Sequence, residues 1–231
     1  MKMRWVLSML GLAMSSTVVA NKAEVKSKVQ QMVPPNIQIE VKDSAMPGFY
    51  MVELGNQVVM MSQDGKYLID GDVVDLSSRT NLIEVYLDKK RFELMKQYTE
   101  KDSIEFKAKN EKRVLEVFTD VDCPYCHKFH QQVPDLNKAG ITVQYFAYPR
   151  SNQGSATYRK AEGVWCADNK QEAITVAKSG GAVNGKTCDI VAKHKALGES
   201  VGVTGTPSLV FDNGMMIPGY VPTQKLLEYL R

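Results

Sequence analysis

Cys123-Pro124-Tyr125-Cys126 is the stretch of this chain best equipped for chemistry. Two cysteines three positions apart at the start of a helix can close a small disulfide ring, the first sulfur facing out and the second shielded. Unpaired N–H groups and the positive end of the helix dipole favour a thiolate at Cys123. A lowered thiol pKa gives more nucleophile at neutral pH and a better leaving group, and thiol–disulfide exchange needs both. Pro124, just inside the helix start, supplies a helical φ and has no N–H to leave unpaired. His127 adds positive character when protonated. Half of a zinc site and a structural disulfide are the competing readings. Zinc normally takes a second close pair, and Cys166 and Cys188 lie too far apart in sequence to form one, although His127 and His130 offer nitrogen ligands. A ring this tight staples almost nothing. We therefore expect a redox pair, with no metal and no cofactor.

Cys166 and Cys188 read best as a structural disulfide, whose loop would stabilise the fold by roughly 3 kcal/mol in the chain-entropy model. A second redox relay is the alternative, and their neighbours (Trp165 and Ala167, Thr187 and Asp189) lack the helix-start setting of Cys123. His194, alone in a charged helix, reads as a solvated surface residue. Gly205-Thr206-Pro207 leads into a strand, where proline is tolerated at the first position. Proline statistics alone favour a trans bond there. Its functional reading depends on the fold placing it beside the cysteines.

The elements that must position these residues follow from periodicity. Val114 to Phe118 reads as a buried strand, Cys123 to about Val133 as a helix that Pro134 ends or kinks, and Ile141 to Tyr148 as the next strand. That is a βαβ unit. Ser151 to Gly198 reads mostly as helix, broken at Gly180-Gly181 and Asn184-Gly185. Ser208 to Phe211 and Met215 to Ile217 flank a turn at Asp212-Asn213-Gly214, and Pro222 to Leu230 closes as a helix. Upstream, Glu24 to Val33 is a short helix stopped by Pro34-Pro35. Strands follow around Ile37 to Val41, Phe49 to Leu54, Val58 to Met61 and Tyr67 to Ile69, with turns at Asp64-Gly65 and Asp70-Gly71. A module of about 60 residues has a marginal core and exposed sheet edges. A second copy of the chain is the simplest cover, so we expect dimerisation there. Asn81 to Tyr98 looks like a connecting helix whose charged, mostly solvated face suits a bridge between modules.

Composition narrows the function. The 231 residues are 44% hydrophobic and 24% charged, enough to bury a core. Lys2 and Arg4 open a leader with an apolar Trp5 to Met14 and small residues up to Ala20, a signal-peptide pattern cut after Val18-Val19-Ala20. The apolar run from Trp5 falls short of the ~20 residues a membrane span takes. Without those two charges the 29 Lys and Arg fall to 27 against 26 Asp and Glu, too balanced for a nucleic-acid partner. Export also makes disulfides permissible.

Val117-Phe118-Thr119-Asp120 with Cys123-Pro124-Tyr125-Cys126-His127, followed far downstream by Gly205-Thr206-Pro207, looks like the thioredoxin superfamily. The chain more closely resembles the periplasmic disulfide isomerases of the DsbC/DsbG type, through nearly all of its mature length and including Pro218-Gly219-Tyr220. Cys166 and Cys188 match the second disulfide of the DsbC branch, while the Pro-Tyr dipeptide leans toward DsbG. The resemblance implies an α+β chain with a leader at 1–20, a cystatin-like dimerisation domain at 21–80 and a linker helix and connection at 81–110. A thioredoxin-like redox domain would occupy 111–231, with a helical insertion at about 151–200. It implies a V-shaped homodimer with an apolar, chaperone-like cleft, acting as isomerase or reductase on misoxidised exported proteins. An inner-membrane reductase of the DsbD type would keep it reduced. In such enzymes the residue matching Cys123 attacks, Cys126 or a substrate thiol resolves, and Pro207 is the cis-proline that presents backbone to a substrate strand. Thr206 matches a position that tunes redox properties, and Pro124, Tyr125 and His127 support the site. One departure stands out: the buried carboxylate that classical thioredoxins carry six residues before the first cysteine is replaced by Val117. Glu116 should face the other way, which leaves water or Glu116 to handle the proton. A DsbA-like oxidase and a non-catalytic chaperone are the rival functions.

Overall fold

A computed structural model describes residues 21–99, 101–183 and 185–230. The expected leader at 1–20 and Asn184 of the expected Asn184-Gly185 turn lie outside them. The chain forms two compact units, one running to Asp70 and the other from Gly71.

In the first unit, α1 (Lys22–Gln30) starts at a capping box. The Asn21 side chain accepts from Glu24 N, and the Glu24 carboxylate accepts from Asn21 N. Val25 and Val29, one turn apart, point from α1 into the core. β1 (Ile39–Asp43), β2 (Phe49–Leu54), β3 (Gln57–Ser62) and β4 (Leu68–Ile69) form an antiparallel sheet in that order. Leu54 pairs with Gln57 across a two-residue turn in which Gly55 takes φ +61°. Alternate strand residues Ile39, Tyr50, Val52, Val59 and Met61 meet Val25 and Val29 in one core.

The second unit opens with the ribbon β5 (Val74–Asp75) and β6 (Thr80–Asn81) and then α2 (Leu82–Met95), whose first N–H groups are capped by the Asn81 side chain. The expected solvated bridge is docked along part of its length. Met95 shares a core with Phe118, Phe146 and Leu197. Arg91 is buried, its Nε donating to Val201 O at 3.0 Å and its Nη1 to Asp88 Oδ1 at 2.7 Å. Gly214 lies so close that a Cβ there would sit 1.9 Å from Asp88 O. A charged residue reads as surface in a sequence, and here it is the clasp.

β7 (Ile104–Phe106), β8 (Arg113–Thr119), α3 (Pro124–Gln131), α4 (Val133–Lys138) and β9 (Ile141–Ala147) follow, then α5 (Ala156–Trp165), α6 (Lys170–Lys178), α7 (Ile190–Ser200), β10 (Ser208–Phe211), β11 (Met216–Pro218) and α8 (Thr223–Tyr229). The sheet order is β11-β10-β8-β9-β7, with β8 and β9 parallel and the other neighbours antiparallel. Pro134 lies in the first turn of α4, where its missing N–H is harmless. Val117, Phe129, Tyr145 and Trp165 belong to the core on the α3 face of the sheet.

His194 corrects an expectation. It is fully buried on the inner face of α7 with Val191 and Leu197, and its Nδ1 accepts from Ala147 N at 3.1 Å. Desolvation dominates and pushes its pKa down to about 4.

Candidate active site

β8 delivers the chain to Thr119, and Asp120 to Asp122 turn it into α3. The turn is fixed by Asp120, whose buried carboxylate accepts from Asp122 N at 2.9 Å and Arg150 N at 3.0 Å. Cys123 is the N-cap residue of α3, with extended backbone (φ −78°, ψ 123°) and Pro124 following. No side chain caps this helix, so its first free N–H groups, those of Cys126 and Tyr125, stand close to the Cys123 sulfur and favour its thiolate. The thiol also lies 3.3 Å from Thr206 O, to which it donates. Thr206 Oγ1 is buried without a hydrogen-bond partner among the described residues, and its hydroxyl favours the Cys123 thiolate. Burial alone pushes the Cys123 thiol up; Thr206, Cys126 and Tyr125 together outweigh it, so the net shift is down.

The first sulfur does not face outward as expected, since Cys123 is only 2% exposed. The Thr206 segment closes over it. Its neighbours Asp122, Pro124 and Tyr125 are all exposed, so the buried sulfur lies in an exposed stretch of chain. The Thr206–Pro207 peptide bond is cis. Pro207 O accepts from Gly219 N at 2.7 Å, which draws the Pro218-Gly219-Tyr220 turn toward the same place. Tyr220 stacks on Tyr125 at 6.5 Å between centroids, and Lys128 Nζ lies 4.6 Å over the Tyr220 ring. Tyr125, 62% exposed, gives the site an aromatic rim.

Cys126 sits one turn deeper and is fully buried with Phe129. Burial pushes its thiol up, opposed by Lys178, by the Thr119 hydroxyl and by Asp120 N–H. Sequence reasoning missed Lys178. This last residue of α6 is 5% exposed, and its Nζ donates to Thr119 Oγ1 and Asp120 O, both at 2.7 Å. A signal was present: Ile174, Ala177 and Lys178 stand at i, i+3 and i+4, so the lysine continues the buried stripe of α6.

His127 Nε2 is 2.7 Å from Val121 O, to which it donates, so that nitrogen carries the proton. His130 bonds Tyr145 Oη at 3.1 Å and Thr175 Oγ1 at 3.2 Å, and its pKa falls to about 4, chiefly by burial and then by the nearby Lys178 and His127. Among the described residues no three His, Cys, Asp or Glu side chains group as a metal site. Cys166, capping the end of α5, is joined to Cys188 ahead of α7 by a disulfide. Glu116 lies against Phe92, Met95, Tyr98 and Asp212, on the face opposite the cysteines. Burial and then Asp212 push its carboxyl up to about 7.

A thioredoxin-like sheet carrying a dithiol at a helix start, with its two thiol pKa values driven apart, defines a thiol–disulfide oxidoreductase. Comparison with known proteins agrees. A family profile described as a thioredoxin-like domain matches residues 99–231, and one described as the disulfide bond isomerase protein N-terminal domain matches residues 16–84. The thiol:disulfide interchange protein DsbC of Dickeya dadantii is 36% identical over all of this chain and 95% of that protein. DsbC of Haemophilus influenzae is 34% identical over 99% of this chain and 98% of its own. A disulfide interchange protein from Neisseria gonorrhoeae superposes with a TM-score of 0.51 at 33% identity, covering 58% of this chain and 96% of that one. The chain belongs to the DsbC family of thiol:disulfide interchange proteins.

Proposed function

We propose that this chain rearranges and reduces wrong disulfides in exported proteins, as a periplasmic homodimer. The carrying observation is the asymmetry of the dithiol: the Cys123 thiol is lowered at a helix start, and the Cys126 thiol is raised in the core. Cys123 attacks a substrate disulfide as thiolate and forms a mixed disulfide. A substrate thiol then resolves it to complete isomerisation, or Cys126 resolves it and leaves the substrate reduced. Thr206 and Pro207 present backbone beside the sulfur, and Tyr125 and Tyr220 offer an apolar rim to an unfolded client. Pro124 and His127 hold the start of α3, and the Cys166–Cys188 bridge has a structural role. An inner-membrane reductase of the DsbD type restores the dithiol. The leader at 1–20 directs export, 21–80 pairs two copies, 81–110 connects, and 111–231 carries the chemistry.

Refolding of scrambled ribonuclease tests this reading. Cys123→Ala should abolish reactivation, while Cys126→Ala should retain isomerisation and lose net reduction of insulin. Reactivation surviving in Cys123→Ala would reject the assignment. Suppression of client aggregation without any reactivation by the wild type would favour a chaperone instead.

A further inference from the structure

We propose that Lys178 is a positioning residue for Cys126, taking up its thiol proton through the Thr119 hydroxyl as the mixed disulfide on Cys123 is resolved. The inference rests on the reading of Cys126 as resolving thiol and supplies the proton acceptor that the reaction needs. β8 offers no carboxylate on this face, since Val117 points into the core and Glu116 lies on the other side.

The geometry of Lys178 calls for an ionisable partner. Its Nζ is buried, yet both oxygens it bonds, Thr119 Oγ1 and Asp120 O, are uncharged. A buried ammonium without an anion is unfavourable. Burial accordingly drives the Lys178 pKa down to about 8, with Cys126 the leading group that pulls it back up. The titratable groups that face it are Cys126 and His130 of α3, Cys123 at its N-cap, and Asp120 and Asp122 of the loop before it. Asp120 is committed to Asp122 N and to Arg150, and Asp122 to Thr157 and Lys160. His130 is held neutral by burial. Cys123 is tied up in the mixed disulfide at this step. Cys126 is what remains: the Thr119 hydroxyl that accepts from Lys178 is also one of the groups that favour the Cys126 thiolate, and Lys178 is the first of them.

With Lys178 as the amine, the Cys126 S–H passes its proton to Thr119 Oγ1 while that hydroxyl passes its own to Nζ. The Cys126 thiolate attacks Cys123 Sγ, the bond from Cys123 to the substrate sulfur breaks, and the electron pair leaves on the substrate as a thiolate. The two enzyme sulfurs are oxidised, the substrate disulfide is reduced, and the proton rests on the ammonium. The 2.7 Å separation of Nζ and Oγ1 suits either direction of that bond, Oγ1 donating to the amine before transfer and the ammonium donating to Oγ1 after it.

The test is the two-step release of thionitrobenzoate when the reduced full-length protein meets Ellman's disulfide. Attack by Cys123 releases the first equivalent, and resolution by Cys126 the second. In the wild type the second phase should accelerate with pH through a midpoint near that of Lys178, about 8. Lys178→Met should keep a rapid first phase, slow the second by roughly 100-fold or more at neutral pH, and move its midpoint upward. Thr119→Val should slow the second phase in the same way with the lysine in place, and Thr119→Ser should restore it. This pair decides the matter if Lys178→Met does not fold. A second phase with unchanged rate and midpoint in either folded variant overturns the role of Lys178. A wild type lacking any second phase overturns the resolving role of Cys126 itself, and the inference with it.

Discussion

Thr206 meets Cys123 in two opposed ways, and the balance between them is open to measurement. Its carbonyl accepts from the thiol and so favours the protonated form, whereas its hydroxyl favours the thiolate. Thr206→Val keeps the shape and the carbonyl and deletes only the hydroxyl. The Cys123 pKa should therefore rise, and alkylation by iodoacetamide at neutral pH should slow. Thiolate absorbance against pH, on a Cys126→Ala background that isolates one sulfur, reads the shift directly. An unmoved midpoint would mean that the helix-start N–H groups of Tyr125 and Cys126 set the thiolate alone. The same residue explains why the sulfur is more enclosed than its place at a helix start implies: the cover comes from a segment distant in sequence. Spacing within Cys123-Pro124-Tyr125-Cys126 encodes the helix start and the pairing, but carries no information on what lies across from it.

At the scale of elements, α7 holds the sharpest contrast between sequence and structure. Its charged letters suit a solvated helix, yet Val191, His194 and Leu197 form its inner stripe and the imidazole bonds Ala147 N at the end of β9. The fold keeps this ring neutral down to about 4, whereas the unfolded chain protonates it near ~6.5. Between those values the unfolded chain binds the extra proton, so stability drops as pH falls through the window. His194→Leu should lose about 1–3 kcal/mol at pH 7 by stranding Ala147 N–H. Its stability should then decline less than the wild type's between pH 7 and 4. Urea unfolding at a series of pH values checks both, and equal slopes would rule out His194 as an acid-sensitive group. What was legible upstream of this was the alternation of strands and the breaks at turns, which place β2, β3, β8, β9 and β10 close to where they stand. Local pattern fixes such elements because burial imposes the period. It could not reveal β7, whose three residues derive their strand from pairing with β9, nor the docking of α2 through Arg91 and Gly214, nor Lys178 under the site. Each of those is a polar or short segment given its meaning by a partner far along the chain.

For the whole molecule, the distribution of chemistry between units predicts which functions separate. Every residue of the candidate site, from Thr119 to Tyr220, falls in the unit that begins at Gly71. The last strand of the first unit is the two-residue edge strand β4; Leu68 in it and Tyr67 just before it are exposed at one edge of the described sheet. An edge with apolar side chains is a template for pairing with another strand. A second copy of the chain covers it in the proposed homodimer. Tyr67→Lys combined with Leu68→Glu puts charge on that edge without touching the core of Val25, Val52 and Val59. Sedimentation should find the wild type as a dimer and the double variant as a monomer. The two phases of thionitrobenzoate release should be unchanged in the variant, because Cys123, Thr206, Cys126 and Lys178 keep their surroundings. Reactivation of scrambled ribonuclease should fall, since a large client would then meet one redox unit at a time. A wild type that sediments as a monomer, or a double variant that stays dimeric, would move the pairing surface elsewhere or remove it. A variant that turned monomeric and lost the first thiol phase as well would contradict the separation of pairing from chemistry on which this prediction stands.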